Sequence, residues 1–400
     1  MKKITFLLLL CCVLATSTAT YAAGKPQKKV PVVSLSGNAY QRGFQHGVQL
    51  RTAIAEVYKK WKASINKDTG KDPDAVIADF LGSSDYKSAI GKYTPALWQE
   101  IQGMAAGSGQ TEDDVLAFQL IDEYWGYLDR LRNGSVAKEH CSAIGVAATK
   151  GYPTFIAQNI DIDSFMHGYQ VLLHIVASED VPEQYIMSCA GFLGFAGMNN
   201  DGVGVVINAL TDLNSEPEGL PVAFVTRGIL NQSSGEKALN FVNNVKHATG
   251  QNYLVGTNNE VVSLEASAKT IVPFYPVDNK QVVYHTNHAL ANHDVKPWKQ
   301  EYHARILAGT TPHSGSQKRF NALETRLANP ETIHSPELIQ ATLRSKDDPQ
   351  SPVCVAFNKK TTSFTFSSVL FTFGRKPSVQ VTYGSPDKAD YHEYFFEQIL

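Results

Sequence analysis

The chain has 400 residues, 43% of them hydrophobic, and a formal net charge of −2 at pH 7. This balance, without runs of like charge, gives no support for binding to nucleic acid or to an anionic membrane surface. The length allows two domains, but no linker-like stretch and no internal repeat divides the chain, so we expect one large domain.

The first 22 residues have the features of a secretory signal. Lys2 and Lys3 are followed by an apolar run over residues 6–14 and by a small-residue cleavage site ending at Ala22. The apolar run is too short to span a membrane as a helix, and no other stretch comes close. We therefore expect residues 1–22 to be a signal peptide and the protein to be secreted or periplasmic, without a transmembrane segment.

The part of the chain before residue 141 is predicted to be mostly helical. A short strand is predicted at Val32–Leu35, followed by one long amphipathic helix over residues 41–65, where apolar residues recur at helical spacing. Residues 66–92 are polar and predict a loop. Two more helices are predicted, one from Pro95 to the glycines after residue 106 and one beginning after Thr111.

The part of the chain from residue 141 onward is predicted to be rich in strands. Strand-like runs lie at residues 142–148, 154–162, 169–177, 184–189, 203–209, 252–256, 261–266, 282–285, 353–358, 363–371 and 379–382. Helices are predicted at residues 222–230, 236–245, 317–327 and 336–344. This order predicts an α+β fold in which two sheets carry helices on their outer faces.

Three cysteines remain once the signal peptide is removed. An odd number in an oxidising compartment leaves one thiol free or paired between chains. Cys189 and Cys354 are a possible bridge, which leaves Cys141 as the reactive thiol. Cys141 begins one strand-like run and Asp161 ends the next, and nucleophilic catalysis can use a cysteine and a carboxylate that lie side by side.

Four motifs occur in a fixed order along the chain. They are Cys141-Ser142, Gln158-Asn159-Ile160-Asp161, residues 197–202 followed by Asn208, and His285-Thr286-Asn287-His288. Together they resemble the isopenicillin-N acyltransferase-like family of N-terminal-nucleophile (Ntn) cysteine hydrolases, which is related to the choloylglycine hydrolases. Residues 37–47 are similar to the propeptide segment of that family.

The resemblance implies an Ntn-hydrolase fold, a four-layer α-β-β-α sandwich with two antiparallel sheets between helical layers, and neither a cofactor nor a metal. It also implies a precursor that cleaves itself between His140 and Cys141. Residues 23–140 would then form a small helical chain that completes the fold. Residues 141–400 would form the catalytic large chain and stay associated with the small one.

The resemblance also assigns roles to four residues. Cys141 is the nucleophile, Asp161 holds its new amino terminus, and Asn208 and Asn287 lie near the oxyanion and the substrate. An α-amine with a pKa near 7.7–8.0 can serve as base for a thiol with a pKa near 8.5. Gln158 stands where the family often has arginine, so we expect no fixed cation beside the thiol and an uncharged group near the scissile bond.

These observations predict an exported, autoprocessing cysteine amidohydrolase or acyltransferase that cleaves a non-peptide amide bond of a small molecule. The acyl group would pass through an acyl-enzyme on Cys141. A phospholipase B-like lipid hydrolase and a catalytically silent binding protein on the same fold are the alternatives. Two other site hypotheses stay open: a zinc site at His285, His288, His293 and Asp294, and a papain-like pairing of Cys141 with one of these histidines.

Overall fold

The computed structural model describes residues 29–131, 141–149, 151–277, 280–312 and 314–396. The predicted signal peptide and His140 lie outside these residues. No helix in the described ranges is both long enough and apolar enough to cross a membrane.

The described strands form two sheets. In chain order they are β1 (Val32–Leu35), β2 (Ser142–Val146), β3 (Phe155–Asp163), β4 (Gln170–Ile175), β5 (Gln184–Cys189), β6 (Ala196–Asn199), β7 (Val203–Ala209), β8 (Gln251–Thr257), β9 (Val261–Ala266), β10 (Ile271–Phe274), β11 (Val282–His285), β12 (Ser363–Thr372), β13 (Ser378–Val381) and β14 (His392–Phe395). One sheet has the strand order β1-β4-β5-β6-β7-β8-β9-β10, and the other has the order β11-β2-β3-β12-β13-β14. Neighbouring strands are antiparallel except β1 and β4, which are parallel.

The described helices lie before residue 141 and in two later groups. They are α1 (Ala39–Gln49), α2 (Arg51–Thr69), α3 (Pro73–Gly82), α4 (Tyr86–Tyr93), α5 (Pro95–Ser108), α6 (Glu112–Gln119), α7 (Ile121–Leu131), α8 (Val222–Leu230), α9 (Gly235–Asn244), α10 (Pro297–Leu307), α11 (Gly315–Leu327) and α12 (Pro336–Leu343).

The two sheets pack face to face and carry helices on their outer sides. Strands β2 and β3 contact β7 and β8 across the interface, α8 and α9 pack on the eight-stranded sheet, and α11 and α12 pack on the six-stranded sheet. Side-chain alternation explains how one strand serves two layers: Ile144 and Val146 join the core beneath α11 and α12, whereas Ala143 joins the core that includes the opposite sheet. The predicted α+β class and α-β-β-α layering are confirmed.

The segment before residue 141 is joined closely to the rest of the chain. Strand β1 extends the eight-stranded sheet by pairing with β4.

Within this segment, helices α1 and α5 approach so closely that a Cβ atom on Gly43 would collide with the Glu100 carbonyl, and one on Gly103 would collide with the Tyr40 carbonyl. The glycines therefore permit backbone contact between these two helices.

A buried ion pair also crosses between this segment and the later helices. Arg227 of α8 donates two hydrogen bonds to the Glu100 carboxylate of α5, at 2.8 and 3.1 Å. Arg42 of α1 places its Nε 3.6 Å from the same carboxylate. All three side chains are buried, and the Glu100 carboxylate is shared by two arginines.

Several predicted elements before residue 141 need correction. The single helix over residues 41–65 is broken at Leu50 into α1 and α2. Residues 66–92, predicted as a loop, contain α3 and α4. Asp72 caps α3, and Val76, Ile77 and Phe80 give this polar stretch a buried face. The helix after Thr111 is likewise two helices, α6 and α7.

The strand-rich part differs from prediction mainly at short or exposed elements. The sequence prediction missed β6, β10, β14 and α10, and residues 353–358 do not form the strand that was predicted there. Strand β12 pairs with β3 and with β13. The possible Cys189–Cys354 bridge is wrong, because both are buried free thiols and the Cys354 Sγ lies 3.3 Å from Asp387 Oδ1.

Candidate active site

Cys141 and Asp161 are brought together by the pairing of β2 with β3. The register places Ser142 opposite Asn159, so Cys141, one residue before β2, lies beside the end of β3. The Asp161 backbone N–H donates to Cys141 Sγ at 3.4 Å, and Sγ lies 3.6 Å from the Asp161 carbonyl oxygen. Cys141 itself is half-buried. A strand pair predicted from sequence therefore puts the thiol next to the predicted aspartate.

The Asp161 carboxylate is buried without a hydrogen bond of good geometry. Its side chain is 4% exposed, and neither oxygen has a partner within hydrogen-bonding limits among the described residues. Burial raises the pKa of this carboxyl to about 7, opposed in part by the nearby Thr365 hydroxyl and the Arg319 guanidinium. A buried acceptor of this kind is stabilised by any donor, and most by a cationic one.

The Cys141 thiol is not activated in the uncleaved chain. Burial raises its pKa to about 12, and the charge of Asp161 adds to the rise, although the Asp161 backbone hydrogen bond and Arg319 oppose it. The thiol is therefore protonated at neutral pH. Because the thiolate is the nucleophile, efficient attack on a substrate needs a base beside Sγ.

Arg319 of α11 connects the nucleophile to Asn287. Its buried guanidinium donates from Nη1 to the Cys141 carbonyl oxygen at 2.6 Å and to Ser142 Oγ at 3.2 Å. Its Nη2 donates to Asn287 Oδ1 at 3.0 Å. Sequence reasoning missed this residue. One signal was present, because Arg319 is spaced by four and eight residues from the buried Leu323 and Leu327, and so lies on the apolar face of the predicted helix.

Asn287 lies just after β11, and both its backbone and its carboxamide are hydrogen-bonded. Its backbone N–H donates to Ser316 Oγ at 2.7 Å, and its Nδ2 donates to the Ala209 carbonyl oxygen at 3.1 Å. Arg319 Nη2 donates to its Oδ1. The carboxamide is therefore fixed between α11 and the end of β7.

Asn208 lies near the end of β7, the strand that carries Ala209. Its Nδ2 donates to the His285 carbonyl oxygen at 3.4 Å, and its Oδ1 accepts from Asn252 Nδ2 at 3.0 Å. Ser263 Oγ in turn donates to Asn252 Oδ1 at 2.7 Å. The four predicted site residues thus fall into two groups. Cys141 contacts Asp161, and Asn287 is bonded to Ala209, the residue after Asn208. Arg319 is hydrogen-bonded to Cys141 and to Asn287, and so connects the groups.

The Gln158 side chain is hydrogen-bonded to strand β7 of the opposite sheet. It bridges the two sheets, because Oε1 accepts from the Ile207 N–H at 3.2 Å and Nε2 donates to the Ile207 carbonyl oxygen. The expectation that position 158 faces Cys141 stays a prediction, since the register pairs Gln158 with Ala143, two residues from Cys141. The expectation of a site without a fixed cation is wrong, because Arg319 supplies one from a different element.

The nearby histidines have other partners. His285 Nε2 lies 2.8 Å from Glu265 and its Nδ1 lies 2.7 Å from the Thr286 carbonyl oxygen, while His288 Nδ1 lies 2.8 Å from Ser316 Oγ. The recorded hydrogen bonds of Cys141 Sγ are to the Asp161 backbone, which does not favour a papain-like pair. In the described part of the chain, no group of three or more His, Cys, Asp or Glu side chains is arranged to hold a metal ion.

Comparison with known proteins finds relatives over most of the chain. An Emericella nidulans protein, the acyl-coenzyme A:6-aminopenicillanic-acid-acyltransferase 40 kDa form, is 24% identical over 362 residues, which are 90% of this chain and 94% of that protein. Protein dcd1A of Dictyostelium discoideum is 25% identical over 269 residues, 60% of this chain and 58% of that protein.

Solved structures show more distant likenesses. A Caenorhabditis elegans N-acylethanolamine-hydrolyzing acid amidase ortholog aligns over 64% of this chain and all of its own, with 12% identity and a TM-score of 0.41. Penicillin V acylase from Agrobacterium tumefaciens aligns over 64% of this chain and 86% of its own, with 13% identity and a TM-score of 0.40. These likenesses are too distant to bear on the activity.

The family model for acyl-coenzyme A:6-aminopenicillanic acid acyl-transferase matches residues 148–388. The match covers more than half of the chain, including Asp161, Asn208, Asn287 and Arg319, and confirms the resemblance inferred from the four motifs. The chain belongs to the acyl-coenzyme A:6-aminopenicillanic acid acyl-transferase family.

Proposed function

We propose that this protein is an exported, autoprocessing cysteine amidohydrolase or acyltransferase that cleaves the amide bond of a small molecule through an acyl-enzyme on Cys141. The observation that carries the proposal is the buried Asp161 carboxylate, which has no good hydrogen bond and lies beside a cysteine that precedes a buried strand. A new α-ammonium group on Cys141 is the donor that this carboxylate lacks in the uncleaved chain.

The first step is cleavage of the chain before Cys141. Sγ attacks the carbonyl carbon of the preceding residue, the bond from that carbon to the Cys141 nitrogen breaks, and the thiol proton passes to the departing nitrogen. Water then hydrolyses the thioester, releasing a carboxylate at residue 140 and a free amine at Cys141. Residues 23–140 remain bound to residues 141–400 through β1 and the Glu100–Arg227 ion pair.

The second step uses the new amino terminus as the base. The α-amine takes the thiol proton as Sγ attacks the substrate carbonyl carbon, and it later gives a proton to the leaving amine. Asn287 stabilises the oxyanion: its carboxamide carries two N–H groups, and the contact with Ala209 uses one. Water completes hydrolysis of the thioester, or an amine acceptor completes acyl transfer.

Acyl transfer is included because the Emericella nidulans relative bears the name of an acyltransferase. Hydrolysis and transfer share the same acyl-enzyme and differ only in the second nucleophile. They are distinguished by whether an added amine captures the acyl group in competition with water.

The experiment uses purified protein and a set of 7-amino-4-methylcoumarin amides that differ in their acyl group. Acid quenching during turnover, followed by mass spectrometry, should find the acyl group on Cys141, and Cys141→Ala should abolish both the adduct and the release of coumarin. Adding an amine acceptor should divert part of the acyl group to a new amide. Undiminished turnover by Cys141→Ala would overturn the proposal. Tight binding without turnover would instead favour a binding protein.

A further inference from the structure

Glu265 gathers four hydrogen bonds onto one buried carboxylate. It lies on β9, with no exposed surface. Oε1 accepts from His285 Nε2 at 2.8 Å and from the Leu290 N–H at 2.8 Å. Oε2 accepts from the Ala291 N–H at 2.9 Å and from the Asn292 N–H at 2.7 Å. Every one of these donors lies in or next to the segment that carries Asn287.

The four bonds attach both ends of that segment to the Glu265 carboxylate. We call residues 286–292 the Asn287 loop. His285, immediately before the loop, and residues 290–292 at its end are held by the same carboxylate. Asn292 Nδ2 also donates to the Glu265 carbonyl oxygen at 3.0 Å. With both ends fixed on one side chain, the backbone between them has little freedom to move Asn287.

The charge of Glu265 suits this role. Burial alone would raise its pKa, but the hydrogen bond and charge of His285, together with the loop N–H donors, hold that pKa below its ordinary value. His285 Nδ1 lies 2.7 Å from the Thr286 carbonyl oxygen. The His285 imidazole thus links Glu265 to Thr286, the first residue of the Asn287 loop.

His285 also reaches the second asparagine. The His285 carbonyl oxygen accepts from Asn208 Nδ2, and Asn287 Nδ2 donates to Ala209, the next residue on β7. A shift of His285 would therefore disturb the contacts of both asparagines. We propose that Glu265 is a positioning residue, which sets the place of the Asn287 carboxamide through His285 and the Asn287 loop. This inference rests on the proposed function, because it assumes that Asn287 serves the oxyanion.

The first test is Glu265→Gln in the processed protein, assayed with one of the coumarin amides. Glutamine keeps the size of the side chain but replaces one acceptor oxygen with an amide that meets backbone N–H donors. Displacing an oxyanion donor weakens the binding of the transition state more than the binding of the substrate. We expect kcat to fall about 10-fold or more, but by less than the roughly 10²–10³ fall that loss of an oxyanion donor causes, with little change in KM.

The matched control is Glu183→Gln. Glu183 accepts from His174 Nε2 at 2.8 Å and is also buried, but the pair joins β4 to the residue before β5. If removing a buried Glu–His pair affects activity only through general stability, both variants should lower kcat alike. We expect Glu183→Gln to keep the kcat of the parent.

The deciding measurement is a double-mutant cycle with Asn287→Ala. If Glu265 acts through Asn287, adding Glu265→Gln to Asn287→Ala should change kcat by less than twofold. Additive losses, or a parent-like kcat for Glu265→Gln or for Asn287→Ala, would overturn the inference while Cys141→Ala still abolished turnover. Turnover by Cys141→Ala would instead remove the proposed function. Should Glu265→Gln fail to fold, His285→Gln takes its place in the same cycle.

Discussion

Asp161 combines burial with the absence of a good hydrogen bond, and this has a measurable consequence in the uncleaved chain. Its pKa is raised to about 7, whereas the unfolded value is near 3.9. Between these values the folded state binds more protons than the unfolded state. The free energy of unfolding contributed by Asp161 therefore falls as the pH rises from about 4 to about 7.

We expect Asp161→Asn to expose this dependence when it is introduced into a Cys141→Ala background, which cannot cleave itself. Because asparagine does not titrate, the variant should gain stability relative to its parent as the pH rises, by at most about 1.4 kcal/mol per pH unit. Urea unfolding of both proteins at about pH 4.5 and about pH 6.5 measures the difference. A difference that did not change with pH would mean that the carboxylate already has a strong partner.

Arg319 is the residue whose substitution should most directly separate positioning from charge. Its planar guanidinium reaches the Cys141 carbonyl oxygen and Asn287 Oδ1 together, which a lysine ammonium cannot reproduce. We expect Arg319→Lys to lower kcat about 10-fold or more, because misplacement of reacting groups is costly.

The control for Arg319→Lys lies on the same helix. Arg326 pairs with Asp347 at 2.6 Å on the partly exposed side of α11, where ion pairs contribute little. Arg326→Lys should keep the parent kcat. Equal activity in the two lysine variants would place Arg319 outside the reaction.

Sequence reasoning at the residue scale succeeded where the strand pattern fixed the geometry. Cys141 and Asp161 are neighbours because two adjacent strands pair, and that pairing can be inferred from alternating apolar runs. Gln158 and Arg319 could not be placed in this way. Which sheet face meets which layer, and where a distant helix docks, depend on tertiary packing.

At the scale of elements, the crossing of α1 and α5 depends on glycine. We expect Gly103→Ala to destabilise the protein by about 1–3 kcal/mol, because its Cβ would strike the Tyr40 carbonyl and the Phe44 nitrogen of α1. Gly91→Ala, on α4, is the control: its Cβ would meet open space, and alanine should stabilise that helix by up to about 1 kcal/mol. Chemical unfolding of both variants tests the contrast. Similar stabilities would show that α1 and α5 can move apart without cost.

The elements that were not predicted from the sequence have a common physical property, which is a small buried apolar surface. Helices α3 and α4 lie in a polar stretch, and each buries only a narrow face, such as Val76, Ile77 and Phe80 in α3. Strands β10 and β14 are four residues long and have few buried positions, so they lack the apolar alternation that identifies a strand. The long buried strands β3, β7 and β12 carry the strongest signal, and they were found.

At the scale of the whole molecule, the segment before Cys141 is built into the fold. It supplies β1 to a sheet, packs seven described helices against the rest, and contributes Arg42 and Glu100 to the buried cluster with Arg227. Removing one member of a buried ion pair typically costs about 3–5 kcal/mol. We therefore expect the two cleaved chains to remain together, since separating them would remove Glu100 from Arg227.

Denaturing intact-mass measurement of the purified, active protein tests the central proposal most directly. The proposed cleavage predicts two chains, one with the mass of residues 141–400 and Cys141 at its amino terminus, and one ending at residue 140. The Cys141→Ala variant should give only a single chain that spans both parts. An active preparation that contains only the uncleaved chain would contradict cleavage before Cys141 and, with it, the role of the new α-amine as the base.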